Sequence, residues 1–225
     1  MRIFVTGARG LLGRSLLACS QSPRTDVVGG ARQAGQIGDT QIVGLDLERP
    51  ETLVTALEQT RPDAVIHTAA LTKVDRCETE PDYARRVNGD AVTALAETCQ
   101  TLGAALVHLS TDYVFDGQAG PYAETDSTRP LSNYGQIKLD SEVPVLAMDR
   151  GLVVRTLWLY GHIDGARRNL VTWPIESLAR GENLRIVDDQ WGNPTSATDL
   201  AAGLIDLLRA GAQGLFHFGG TTFMT

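Results

Sequence analysis

The chain opens MRIFVTGARGLLG: a short β-branched and aromatic run, Arg2 to Thr6, leads straight into glycines at 7, 10 and 13. Few arrangements fit such a start. Glycine permits a tight turn after a strand and lets backbone approach a ligand closely. The next helix directs its amino end toward the turn, and that end favours a diphosphate. Strand, glycine loop and helix in this order predict a nucleotide-binding βαβ unit rather than a bare turn.

The rest of the chain continues the pattern. Apolar runs at 2–6, 26–30, 41–45, 63–68, 105–110 and 151–156 read as strands. Helical segments are expected at 11–20, 50–60, 81–102 and 134–148. Ala56 and Leu57 share a face with Leu53, and Val92, Leu95, Ala96 and Cys99 share another. Continuous apolar strands alternating with helices predict an α/β fold, a doubly wound parallel sheet covered on both faces. Beyond residue 157 the pattern loosens. A Gly- and Arg-rich loop at 159–170 precedes a helix at 170–180, a strand at 184–187, a helix at 198–209 and a last strand in GLFHFGGTTFMT. The reading is a dinucleotide-binding domain over 1–157 and substrate-side segments over 158–225, with the final sheet elements among them.

A net charge of −7 argues against nucleic acid as partner, because phosphate binding needs a basic face. No apolar stretch reaches the length of a membrane span, and no signal peptide precedes the first strand. Cys19, Cys77 and Cys99 are odd in number and scattered, with no zinc spacing, so no metal is expected and free thiols in a reducing cytoplasm are.

An acidic residue after the second strand would grip the ribose 2′-hydroxyl of NAD. Arg32 stands there instead, and Arg9 lies inside the glycine loop. Two guanidiniums suit a 2′-phosphate, so NADP(H) is preferred and NAD(H) admitted. Asp46 and Leu47 end the third strand and could flank adenine. Asp46 could equally cap the helix near Pro50. Ala69 and Ala70 end the fourth strand, where small side chains let a cofactor cross the sheet edge.

Tyr134 and Lys138 are spaced i, i+4 in NYGQIKLDSE and share a helix face. An ammonium beside a phenol stabilises phenolate and lowers the tyrosine pKa, so the phenol can pass a proton to a carbonyl oxygen. Thr111, at the end of the preceding strand, is placed to hydrogen-bond the same oxygen. His67, His108 and His217 sit in strands and read as satisfied core histidines. Asp112 reads as structural in its own turn, and the Glu124–Asp126 cluster as a solvated loop.

The motifs TGARGLLG (6–13), AALTKVDRCETEP (69–81), STDYVFDG (110–117), PYAET (121–125), YGQIKL (134–139), RTLWLYG (155–161) and DQWGNPTSATDLA (189–201) resemble the extended short-chain dehydrogenase/reductases. Within them the chain is similar to dTDP-4-dehydrorhamnose reductases and their sugar-nucleotide-binding relatives. The resemblance covers nearly the whole chain. It implies reduction of a 4-keto-6-deoxysugar nucleotide, with hydride from a nicotinamide and Thr111, Tyr134 and Lys138 as the catalytic set. It assigns the cofactor to Gly7, Arg9, Gly10, Leu11, Leu12 and Gly13, with Arg32, Asp46, Leu47, Ala69, Ala70, Tyr134 and Lys138. It assigns the nucleotide sugar to Thr72, Val74, Thr111, Tyr113 and Trp158, gives Asn88 a structural role, and admits a homodimer.

Three departures stand out. Lys73 occupies a position where the family carries a small residue, and the residues after Lys138 are unusual. Family members also continue past Thr225 into a lobe over the sugar, so a truncated substrate lobe is expected. Related dehydratases place Asp-Glu after the threonine, whereas here Tyr113 comes after Asp112, which disfavours elimination. Two other readings are an epimerase, which would retain NAD, and a non-catalytic NADP-binding regulatory subunit resembling that of methionine adenosyltransferase. The threonine, tyrosine and lysine together argue against the second.

Overall fold

The computed structural model describes residues 1–19, 25–166 and 168–225. Ser20, expected to close the first helix, lies outside the described residues, as does Arg167 in the 159–170 loop.

Eight strands form one sheet. In chain order they are β1 (Arg2–Thr6), β2 (Asp26–Ala31), β3 (Gly35–Ile37), β4 (Thr40–Gly44), β5 (Ala64–His67), β6 (Ala105–Thr111), β7 (Gly151–Thr156) and, after a separate pair, β10 (Gly214–His217). The spatial order is β10-β7-β6-β5-β1-β2-β4-β3. Every pairing is parallel except β3 with β4, a short antiparallel edge that the sequence pattern did not reveal. β8 (Leu159–Tyr160), inside the segment read as a loop, pairs with β9 (Thr195–Ser196), which the sequence pattern did not reveal.

Sidedness in β1 explains the two layers. Phe4 faces one core with Leu53, Leu57, Val65, Leu95 and Leu106. Ile3 and Val5 face the other with Leu16, Ile66, Leu200 and Leu204. A strand buried on both faces must be apolar throughout, which is why these runs show no alternation. Helices α2 (Pro50–Thr60), α5 (Ala91–Leu102) and α6 (Asn133–Leu146) cover the first face. Helices α1 (Leu11–Cys19) and α8 (Ala197–Arg209) cover the second.

The helix expected over 81–102 is composite. It begins as α4 (Pro81–Arg85), passes through a π-type turn at Arg86–Asp90 and continues as α5. A further short helix, α3 (Val74–Thr79), precedes it, and α7 (Thr172–Ala179) lies within the helix expected over 170–180. The strand expected at 184–187 does not form. Its residues are irregular, and Ile186 and Val187 are exposed. β-branched residues favour a strand only where a neighbouring strand gives them a partner and a surface to pack on. No helix among the described residues is long and apolar enough to cross a membrane.

Candidate active site

The strand order reverses between β1 and β5, and the glycine loop leaves β1 at that point. Open α/β sheets bind ligands at such a place. Gly7 has φ +69°, and a Cβ there would lie 2.8 Å from the Thr68 hydroxyl. A Cβ on Gly13 would lie 2.2 Å from the Gly7 carbonyl oxygen, so α1 packs on the loop only without a side chain. The buried Nε of Arg9 has no partner among the described residues. A loop closed this tightly, with an unsatisfied cationic donor beside it, fits the phosphates of a dinucleotide.

Neighbouring hydrogen bonds stiffen the crossing. The Thr6 hydroxyl accepts from the backbone N–H of Thr68 (3.2 Å) and Ala69 (3.3 Å) and lies 2.8 Å from His67 Nδ1. With its lone pairs so engaged, that hydroxyl donates to Nδ1, which places the His67 proton on Nε2. Burial, then the Lys138 charge, lowers the His67 pKa to about 3. Asn88, inside the π-type turn, accepts from Leu71 N–H at 2.8 Å and donates to Leu71 carbonyl at 2.9 Å. The loop carrying Ala69 and Ala70, both half-buried, is thereby clamped. The sequence marked Asn88 as structural but gave no hint of Thr6.

Both arginines reach the carboxyl end of β2. Arg9 Nη2 approaches the Gln33 carbonyl at 3.4 Å. Arg32 donates to the Tyr83 hydroxyl at 3.0 Å and lies 3.9 Å from Asp46 and 3.6 Å from Glu48. Two carboxylates therefore do stand beside Arg32, brought from beyond β4 by the sheet order. Asp46 does not cap α2: its Oδ1 accepts from Glu48 N–H at 3.1 Å, a local Asx turn. Leu12 and Leu47 are buried in the core, whereas Leu11 is half-buried and faces Gly161. The side chains of Leu12 and Leu47 are thus packing groups, which a motif match could not distinguish from ligand contacts.

Thr111 ends β6 directly beside Thr156 of β7. Its hydroxyl accepts from Tyr113 N–H at 3.2 Å, donates to Asp112 Oδ1 at 3.2 Å and interacts with the Tyr134 phenol. The Tyr113 and Tyr134 rings meet edge to face, 5.7 Å apart. Desolvation by burial raises the Asp112 carboxyl to about 6, against the hydrogen bond from Thr111. The Thr156 hydroxyl is buried and unpartnered among the described residues.

Lys138 corrects the sequence reading. Its Nζ donates to the Leu109 carbonyl at 2.6 Å and lies 3.1 Å from His108 Nε2, rather than bonding to Tyr134. Burial lowers its pKa to about 7, and the Glu142 charge opposes that shift. Burial likewise pushes the Tyr134 phenol up rather than down. Helical spacing places the two residues on one face, but the lysine stem is long enough to choose another acceptor.

Of the other residues expected on the sugar side, Tyr113 stands at Tyr134 and Val74 begins α3, half-buried. Thr72 and Lys73 are exposed. Trp158 adopts a left-handed backbone, φ +40°, with its ring against Gly192. The Glu124 cluster is exposed, yet Glu124 accepts from His217 N–H at 2.8 Å and so ties that loop to β10.

Gly135 escaped notice in the sequence. A Cβ there would stand 2.2 Å from the Tyr113 carbonyl oxygen, so its absence lets α6 lie against the turn after β6 and brings Tyr134 to Thr111. Gly135→Ala is expected to destabilise the fold by about 1–3 kcal/mol through overpacking against backbone. Urea unfolding checks this, and an unchanged midpoint would show that the contact relaxes freely.

A doubly wound sheet with a glycine loop at its reversal point, a threonine ending β6 in contact with a helix tyrosine, and a lysine one turn on defines the short-chain dehydrogenase/reductase class. Comparison with known proteins narrows this. A family model described as the RmlD substrate binding domain matches residues 1–225. The chain is 39% identical over 220 residues to dTDP-4-keto-6-deoxy-D-glucose reductase of Streptomyces niveus, covering 96% of this chain and 72% of that protein. It is 39% identical over 233 residues to dTDP-4-dehydrorhamnose reductase of Streptomyces griseus, covering 99% and 72%. Among solved structures, the dTDP-4-dehydrorhamnose reductase of Bacillus anthracis in complex with NADP superposes with a TM-score of 0.87 at 31% identity, over 100% of this chain and 76% of that one. The chain belongs to the dTDP-4-dehydrorhamnose reductase family.

Proposed function

We propose that the protein reduces the 4-keto group of a dTDP-linked 4-keto-6-deoxysugar, using NADPH and a proton from Tyr134. The observation that carries this reading is the half-buried Tyr134 phenol, in contact with Thr111, at the carboxyl end of the sheet that also bears the glycine loop. When bound, a reduced nicotinamide would supply the hydride. Thr111 would turn its one hydroxyl proton from Asp112 to the keto oxygen. Burial keeps Tyr134 protonated, as a donor must be before reaction, and an alkoxide forming beside it is basic enough to take that proton. Lys138 supplies positive charge within the same wall.

Arg9 and Arg32 support NADPH over NADH, since both guanidiniums lie where a ribose 2′-phosphate would be met. Asp46 and Glu48 temper that preference by pairing with Arg32, which leaves NADH usable. Tyr113, Val74, Thr72 and Trp158 would line the sugar side, with residues 158–225 supplying the substrate-side segments to a nucleotide domain over 1–157.

Incubation with NADPH and dTDP-4-dehydrorhamnose is the direct test. The expected result is loss of NADPH absorbance in step with formation of a 4-hydroxy sugar. Protein that binds NADPH but oxidises none of it with any dTDP-4-keto sugar would overturn the reading.

A further inference from the structure

Lys138 leaves unexplained why a lysine should be buried against a histidine. Its Nζ meets the Leu109 carbonyl and His108 Nε2, and His108 is itself fully buried in β6. Nε2 also lies 3.0 Å from the Ser141 hydroxyl, which donates to the Lys138 carbonyl at 2.7 Å. His108 Nδ1 is buried and has no partner among the described residues. The His67 ring stacks on His108 at 5.5 Å from the β5 side.

Proton counting limits what His108 can do. Facing an ammonium, Nε2 must accept, so the ring proton sits on Nδ1. Facing an amine, Nε2–H can donate, and Nδ1 is bare. Nδ1 is unpartnered among the described residues, and the Ser141 hydroxyl can accept from Nε2–H while donating to the Lys138 carbonyl or turn to donate to a bare Nε2, so either tautomer is admitted. The other charged or titratable groups around the pair are Glu142 and Tyr134 from α6, His67 from β5 and Arg155 from β7, the last held by Glu142 at 2.7 Å.

We propose that His108 is a positioning residue for Lys138, holding Nζ at the carboxyl end of β6 and exchanging tautomers as the lysine gains or loses its proton. The proposal rests on the reading of Lys138 as part of the reductase site. A hydrogen bond to an ammonium is roughly twice as strong as one to a neutral amine. His108 therefore favours the charged lysine and keeps it available toward higher pH. Burial holds the ring neutral throughout, which preserves Nε2 as an acceptor.

Two variants of similar polarity separate the outcomes. His108→Gln places an amide near Nε2, which can accept or donate. His108→Asn places one near Nδ1 only. The pH profile of kcat/KM, with NADPH and dTDP-4-dehydrorhamnose, is the readout. In His108→Asn the alkaline limb should move down by about one pH unit, while His108→Gln keeps the limb of the parent. The ¹³Cε resonance of Lys138 in labelled protein should titrate with the same displacement, a readout that needs no turnover. Equal limbs in both variants, or a Lys138 resonance indifferent to residue 108, would overturn the proposal. Lys138→Met tells the two levels apart: if it retains full turnover, the reading of Lys138 itself falls, whereas if it is inactive while His108→Asn keeps its limb, only the role of His108 falls.

Discussion

Replacing Tyr134 by phenylalanine is expected to lower kcat for keto-sugar reduction by about 10³-fold, the scale of a positioned general acid. NADPH affinity and the unfolding midpoint should stay close to those of the parent. The ring keeps its volume and its edge-to-face contact with Tyr113, so only the hydroxyl opposite Thr111 is removed. Steady-state kinetics alongside fluorescence titration of NADPH make the comparison. A variant turning over at even a tenth of the parental rate would move the proton source elsewhere, with Asp112 the first group to examine. That carboxyl, raised to about 6 by burial and bonded to Thr111, is a neighbouring group able to carry a proton.

The second large effect concerns stability. Glu142 in α6 takes a bidentate pair from Arg155 of β7, with Nε at 2.9 Å and Nη2 at 2.7 Å, and accepts from the Ser110 hydroxyl. All three side chains are buried. The guanidinium also lies 5.2 Å above the Phe115 ring and 3.5 Å from His217 Nε2. Glu142→Ala would strand that buried cation without its paired carboxylate and leave Ser110 without its acceptor, at a cost of about 3–5 kcal/mol. The double change Glu142→Leu with Arg155→Met should recover most of the loss, because a buried pair is worth little over a well-packed apolar one. Chemical denaturation of both variants decides it, and a loss below about 1 kcal/mol for Glu142→Ala would mean that water reaches Arg155.

The same pair shows what could be read from the chain and what could not. The layers and most strands of the sheet were legible because burial on both faces forces unbroken apolar runs, as in Val65–Ile66 and Leu106–Val107. The glycine loop was legible because close backbone approach leaves no alternative to glycine. Ser141 and Glu142 stood out only as unusual neighbours of Lys138. Their partners, His108, Ser110 and Arg155, lie 13 to 33 residues away, and periodicity carries no information over that distance. The edge strand β3 was missed for a different reason. Three mostly exposed residues, Gly35 to Ile37, have no pattern to detect. The lysine's choice of acceptor depended on a carbonyl and an imidazole in another strand.

The π-type turn at Arg86–Asp90 places a constraint on length rather than on residue identity. It gives the α4–α5 helix one residue more than a regular α-helix would hold over the same span. Deleting one residue there would let the helix close regularly over the same span, keeping the faces on either side in register but removing the wide turn that carries Asn88. Asn88 would then lose its two hydrogen bonds to Leu71, while Val92 and Leu95 would keep their place in the core. The length of this helix is therefore tied to the Asn88 clamp on the loop after β5, and changes of length over evolutionary time should gather in the exposed loops instead.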